Sequence, residues 1–306
     1  MTLPSEVRIV EVGPRDGLQN ESHFVPTEAK VAFIRALAAA GLTNIEATSF
    51  VHPKIVPQLA DAADVLNALS DQRGVTFSAL VPNEKGLDRA LEAGVRRVAV
   101  FTAASDTFAK KNIGVSVSEA LDIYRVLVRR ALDVGVSVRG YVSTAFVCPF
   151  EGRIAKERVD EVVQQLSDCG VDEVAISDTV GAAVPTDVKE TVSFVLRSTP
   201  KERIALHFHD TYGTALANVL TGLQLGVTTF DSSAGGLGGC PFAPGAAGNL
   251  ATEDLVYMLE GMKIRTGVNV AAVVEAADTL GRILGRPPCS AQWRRTRGAR
   301  VRGHND

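Results

Sequence analysis

Two histidines two positions apart, His207 and His209 in HFHDTYG (207 to 213), carry the most specific chemistry in this sequence. On a strand they point to one face, and two neutral imidazoles sharing the inside or mouth of a barrel make a metal site. Asp16, in GPRDGLQNE (13 to 21), can add a hard carboxylate oxygen to the same ion, although Arg-Asp-Gly also reads as a plain turn. Two nitrogens and hard oxygens, with coordination positions left open, suit Mg or Mn and leave Zn or Co as alternatives. Arg15, beside Asp16, offers a cation able to stabilise a developing enolate or carboxylate, the competing reading being a surface salt bridge. Glu46 stands among small and apolar residues in a strand, where a carboxylate needs a partner, and Arg15 is the obvious one. Cys240, in the glycine-rich stretch DSSAGGLGGCPFAPGAAGNLATED (231 to 254), reads as a thiol on a mobile lid or as incidental. Asn249, just before a helix, is either an N-cap or an amide ligand to the metal, and spacing leaves both open.

These residues can act together only if the elements bearing them converge. Short β-branched runs recur at 7 to 12, 44 to 49, 75 to 81, 95 to 101, 136 to 142, 171 to 177, 203 to 209 and 227 to 232. Segments of helical spacing alternate with them at 27 to 40, 57 to 69, 84 to 93, 116 to 134, 155 to 169, 184 to 197 and 211 to 225. Gly41, Gly94, Gly135, Gly170 and Gly226 each fall where a helix C-cap should hand over to the next strand. Eight even βα repeats, with no GxGxxG turn after the first strand, predict closure into a TIM (β/α)8 barrel with added C-terminal helix at about 250 to 261 and 268 to 284. In such a barrel the active site lies at the strand C-terminal ends. The first, second, sixth (SDT, 177 to 179) and seventh strands all bring polar residues there. Residues 1 to 289 are expected to form one catalytic domain. Residues 290 to 306, with five arginines against the single carboxylate of Asp306, read as a disordered basic tail.

Composition excludes several function classes. Of the 306 residues, 46% are hydrophobic and 22% charged, enough for a buried core, and the net charge of -3 points to neither nucleic acid nor an anionic membrane as partner. No apolar run approaches the roughly 20 residues of a membrane-spanning helix, and no signal-like segment precedes the first strand, so a cytoplasmic location is expected. Cys148, Cys169, Cys240 and Cys289 lack both disulfide density and paired zinc-ligand spacing, and are read as reduced thiols.

GPRDGLQNE, SFVHPKIVPQ, HFHDTYG and GLGGCPFAPGAAGNLATEDLVYMLEG closely resemble the 3-hydroxy-3-methylglutaryl-CoA (HMG-CoA) lyase family, from about residue 7 to residue 285. The resemblance implies cleavage of HMG-CoA to acetoacetate and acetyl-CoA with Mg or Mn on a TIM barrel. It implies Asp16, His207, His209 and Asn249 as metal ligands, Arg15 at the thioester oxygen as the enolate forms, and Cys240 as acid or base toward that carbon. Glu46, Asp178 and Glu253 match supporting polar positions, Lys111 and Asn112 fall where the family approaches CoA, and a homodimer is implied. The chain departs from the family pattern at Ser22, where a lysine is usual, and at Phe208, where a small residue is. Alternatives are a lyase for a longer 3-alkyl-3-hydroxyglutaryl-CoA, a Claisen-type acyltransferase of the isopropylmalate or homocitrate synthase group, and an inactive scaffold barrel.

Overall fold

The computed structural model describes residues 3–239 and 248–301, with side chains through residue 298. Eight parallel strands close into a barrel: β1 (Arg8–Glu11), β2 (Asn44–Ser49), β3 (Thr76–Leu80), β4 (Arg97–Ala103), β5 (Ser137–Ser143), β6 (Glu173–Asp178), β7 (Ile204–Phe208) and β8 (Thr229–Ser232). β1 pairs with β8 on one side and β2 on the other, so the strand bearing the histidines is separated from β1 by β8 alone. The expected TIM barrel is the observed fold.

The helices that cover it are α1 (Thr27–Ala39), α2 (Ala62–Ala68), α3 (Glu84–Glu92), α4 (Asp106–Ile113), α5 (Val117–Asp133), α6 (Lys156–Asp168), α7 (Pro185–Val195), α8 (Ala215–Gln224), α9 (Thr252–Gly261), α10 (Val270–Leu284) and α11 (Ala291–Val301). Their inward residues, such as Ile34, Leu37, Leu127, Val162, Val192 and Leu255, meet the outward strand residues Ile45, Val98, Val138, Val142 and Ile176 in one continuous apolar shell. The five glycines expected to end helices all have positive φ, the conformation only glycine adopts freely.

Two segments differ from expectation. Residues 106 to 113 form α4 where the sequence suggests a loop; Ser105 accepts a hydrogen bond from the Phe108 N–H at 3.0 Å, and Gly114 closes the helix at φ 78°. The tail expected to be disordered is corrected: residues 291–301 are α11. The start of α11 is tied to the barrel by the Ala291 and Gln292 N–H groups donating to Asp254, and by the Trp293 indole donating to Asp278 at 2.7 Å. Those anchors are long-range, and α11 has no apolar stripe to betray it in sequence.

The barrel interior is unusual in what fills it. Ala99, Tyr141, Ala175 and Ala205 form a small inner cluster with Phe101, and the remaining space is taken by charged and polar groups. TIM barrels ordinarily fill this layer with branched aliphatic residues.

Candidate active site

β1 ends in a π-helical turn, Gly13–Gly17, in which the N–H groups of Arg15, Asp16 and Gly17 all reach the Val12 carbonyl. Such turns recur at functional sites because they redirect side chains. Here the turn sends Arg15 and Asp16 over the C-terminal mouth. Gly13 leaves room for the Glu11 carboxylate, which a Cβ 2.5 Å from Oε1 would force to shift.

Asp16, His207 and His209 each offer a ligand atom, all within 4.8 Å of one another. His207 and Asp231 are register partners on β7 and β8, and the His207 ring nitrogen Nδ1 lies 3.2 Å from Asp231 Oδ2. Burial opposes ionisation of Asp231, but Arg139 and His207 hold its carboxyl below the ordinary range, so it can only accept. Nδ1 of His207 therefore donates, leaving Nε2 as the lone-pair nitrogen. Burial holds the His209 ring below its usual pKa, favouring the neutral form that ligates metals.

Asn249 enters from the segment after β8, forming an isolated antiparallel bridge with His209. Its amide donates to Asp16 Oδ2 at 2.9 Å and to the Leu237 carbonyl at 3.1 Å, while Oδ1 is buried without a partner among the described residues. An orphaned buried acceptor on a residue that bonds Asp16 and bridges to His209 is in keeping with a cation held there. Gly238 makes the approach possible, because a Cβ there would stand 2.6 Å from Asn249 Nδ2.

The guanidinium of Arg15 is buried; its Nε donates to Glu46 Oε1 and its Nη1 to Asp16 Oδ1, the latter at 2.6 Å. The Glu46 partner expected from sequence is thus the one observed. Burial opposes the Arg15 charge, but Glu46 and Asp16 more than offset this and hold the guanidinium protonated. Burial likewise opposes ionisation of Asp16, and Arg15 and His209 overcome it, keeping that carboxyl well below the usual range.

Arg15, Asp16, His207 and His209 line one cavity of about 170 Å³, together with Gln19, Asn20, Leu80, Phe101, Asn112, Tyr141 and Gly239. Gly239 immediately precedes Cys240, which lies outside the described residues. Asn112 reaches the cavity from α4, whereas Lys111 Nζ sits over the Phe150 ring, 4.3 Å from its centroid. Asp178 and Glu253 do not line the cavity. Asp178 accepts from the Ala182 and Ala183 N–H groups at 3.1 and 3.0 Å, and burial pushes its carboxyl up to about 6. Glu253 accepts from the Gly235 N–H and Ser290 Oγ, fastening the loop after β8, and burial raises its carboxyl too.

Sequence reasoning passed over Glu11, Arg139, Tyr141 and Asp231. Arg139 and Tyr141 stand two apart on β5, the spacing that drew attention to the histidines. Burial pushes the Glu11 carboxyl up to about 7, although Thr252 Oγ1 and the N–H groups of Ala234 and Gly13 donate to it. A carboxyl raised on folding contributes stability that is complete below its unfolded value of 4.5 and lost as pH rises through about 7. Between about pH 5 and 7.5 the Tm of the unmodified protein should therefore fall more steeply than that of Glu11→Gln, as thermal melts followed by circular dichroism would show. Parallel curves would mean that Glu11 stays ionised in the folded protein.

A closed parallel barrel with an Asp/His/His cluster and a buried arginine at its C-terminal mouth defines a TIM-barrel enzyme built to hold a divalent metal. A family profile described as HMGL-like matches residues 6–280, and the chain belongs to that family. The mitochondrial hydroxymethylglutaryl-CoA lyase of Bos taurus is 51% identical over 285 residues, covering 93% of this chain and 88% of the relative. The crystal structure of Bacillus subtilis HMG-CoA lyase superimposes with a TM-score of 0.95 at 47% identity, covering 97% of this chain and all of that one (100%). An HMG-CoA lyase from Acinetobacter baumannii, solved with coenzyme A and 3-methylmalate, gives a TM-score of 0.91 at 37% identity, covering 100% of this chain and 98% of that one. Among the described residues no helix is long and apolar enough to cross a membrane.

Proposed function

We propose that this protein is a metal-dependent carbon–carbon lyase that cleaves HMG-CoA to acetoacetate and acetyl-CoA. The observation that carries the reading is the convergence of Asp16, His207 and His209 on one cavity that Arg15 also lines, with Asn249 bonded to Asp16 and bridged to His209 behind it. Those four residues would hold a divalent cation, with Mg or Mn best suited to this nitrogen and oxygen set. When bound, the cation supplies Lewis acidity at the substrate's tertiary hydroxyl and distal carboxylate.

Asp16, ionised and lining the cavity, takes the hydroxyl proton, and the bond between C2 and C3 breaks with its electron pair leaving as the enolate of acetyl-CoA and the remaining fragment becoming acetoacetate. Arg15, held rigidly by Glu46, meets the thioester oxygen as negative charge develops there. Asp178 and Glu253 support the reaction by holding the loops after β6 and β8, and Asn112 and Lys111 on α4 border the approach for the CoA chain. Cys240 serves as the acid that protonates the enolate carbon. Cys240→Ala is expected to lower turnover by roughly 10²- to 10⁴-fold with Mn²⁺ affinity near that of the unmodified protein. Turnover close to normal would make the thiol incidental. The function is tested by incubating purified protein with HMG-CoA and Mg²⁺ and assaying acetoacetate and acetyl-CoA, expected in equal amounts.

A further inference from the structure

We propose that Arg139 is a positioning residue for both halves of the site, orienting His207 through Asp231 and Arg15 through Tyr141 and Glu46. This rests on the roles given above to His207 and Arg15. Arg139 projects from β5 into the barrel, where its Nη2 donates to Asp231 Oδ1 at 2.7 Å and its Nη1 lies 3.2 Å from Asp231 Oδ2. The same Asp231 Oδ2 meets His207 Nδ1, so the guanidinium fork and the imidazole share one carboxylate. Asp231 cannot rotate away from Arg139 without breaking both bonds, and its plane sets the tilt of the histidine ring.

The second arm begins at the other side of the fork. Nη1 also donates to the Tyr141 hydroxyl at 2.9 Å, and that hydroxyl donates to Glu46 Oε2 at 2.9 Å. Glu46 Oε1 receives the Nε of Arg15. The Tyr141 ring lies between the two guanidiniums, 4.8 Å from Arg139 and 5.6 Å from Arg15, and its edge meets His207. From below, Glu173, the register partner of Arg139 on β6, brings Oε1 to 2.9 Å from Arg139 Nε, a charge contact outside hydrogen-bond geometry. Every bond of both arms is buried.

A buried ion pair is weak evidence for stability, because desolvation consumes most of the attraction and apolar replacements often do as well. The small neighbours Ala99, Ala175 and Ala205 show an interior shaped around this network instead of around an aliphatic core. Orientation is the return for that arrangement. A shift of about 1 Å in a catalytic group can cost 10²-fold in rate, and loss of a ligand's outer partner 10- to 100-fold in metal affinity.

The two arms make separable forecasts, read by titration calorimetry with Mn²⁺ alone and by kcat on HMG-CoA at saturating Mn²⁺. Asp231→Asn should weaken Mn²⁺ binding about 10- to 100-fold. Tyr141→Phe should leave Mn²⁺ binding within about twofold and lower kcat about 10²-fold. Arg139→Met should do both, and added to Asp231→Asn it should weaken Mn²⁺ binding no further. Should Arg139→Met fail to fold, Arg139→Lys, which keeps the charge but not the fork, carries the same test. Additive losses in the double variant, or Asp231→Asn and Tyr141→Phe each impairing both readouts equally, would overturn the node while leaving the lyase assignment standing. A parent protein that cleaves HMG-CoA without binding Mn²⁺ would overturn the metal reading and the node with it.

Discussion

Replacing Arg15 with methionine is expected to lower kcat by about 10³- to 10⁵-fold, the range an arginine aimed at transition-state charge supplies in phosphoryl transfer. KM should change far less, because the negative charge on the thioester oxygen exists only late in the reaction. The structure gives the reason for so large an effect: the guanidinium is buried, tied to Glu46 and Asp16, and packed over Tyr141, so little reorganisation is needed when the charge appears. Removal also leaves buried Glu46 without its charge partner, with the Tyr141 hydroxyl still donating to Oε2, a loss of up to about 3 to 5 kcal/mol for a buried pair broken on one side, so the variant should melt lower and must be assayed below its Tm. Arg15→Lys should recover only part of the rate, since an ammonium cannot keep the fork to both carboxylates. A change confined to KM would reduce Arg15 to a substrate anchor.

His207→Ala and His209→Ala should each remove metal binding at micromolar Mn²⁺ and cut turnover by about 10³-fold or more, the several kcal/mol that a cation contributes to charge stabilisation. The two should differ in stability. Nδ1 of His209 has no partner among the described residues, and Asp16, which loses the other side of the ring, keeps Arg15 and Asn249 as donors, so little is stranded. His207→Ala deprives Asp231 of one donor but leaves it two from Arg139, a modest loss. Metal content by elemental analysis and melting curves of the metal-free variants would check both statements. Either alanine variant keeping full metal content and turnover would remove that residue from the ligand set.

What the sequence discloses and what it hides follow from the range of the interactions. The βα rhythm is local: each strand run, each helical run and each capping glycine can be seen within about 15 residues, and the observed elements match them closely. His207 and His209 are equally local, because a two-residue spacing on a strand already places both on one face. Asn249 is not. The helix that follows it is capped at Ala251, and a bridge to His209 and a close approach at Gly238 bring Asn249 to the site, neither of which spacing can show. Arg139, Tyr141 and Asp231 matter through partners 92 and 95 residues distant, so their charges look like isolated exceptions in apolar strands until the barrel closes. Lys111 is likewise long-range: its place after the fourth strand can be read in sequence, but the Phe150 ring under its ammonium cannot. α11 was hidden because its anchors, Asp254 and Asp278, lie on other helices.

The measurement closest to the central claim is turnover of HMG-CoA by protein stripped with a chelator and then titrated with Mn²⁺ or Mg²⁺. Stripped protein should yield no acetoacetate, and activity should return in step with occupancy of one site per chain, with acetoacetate and acetyl-CoA formed in equal amounts. Full turnover by the stripped protein, or restored metal with no cleavage of HMG-CoA, would contradict it.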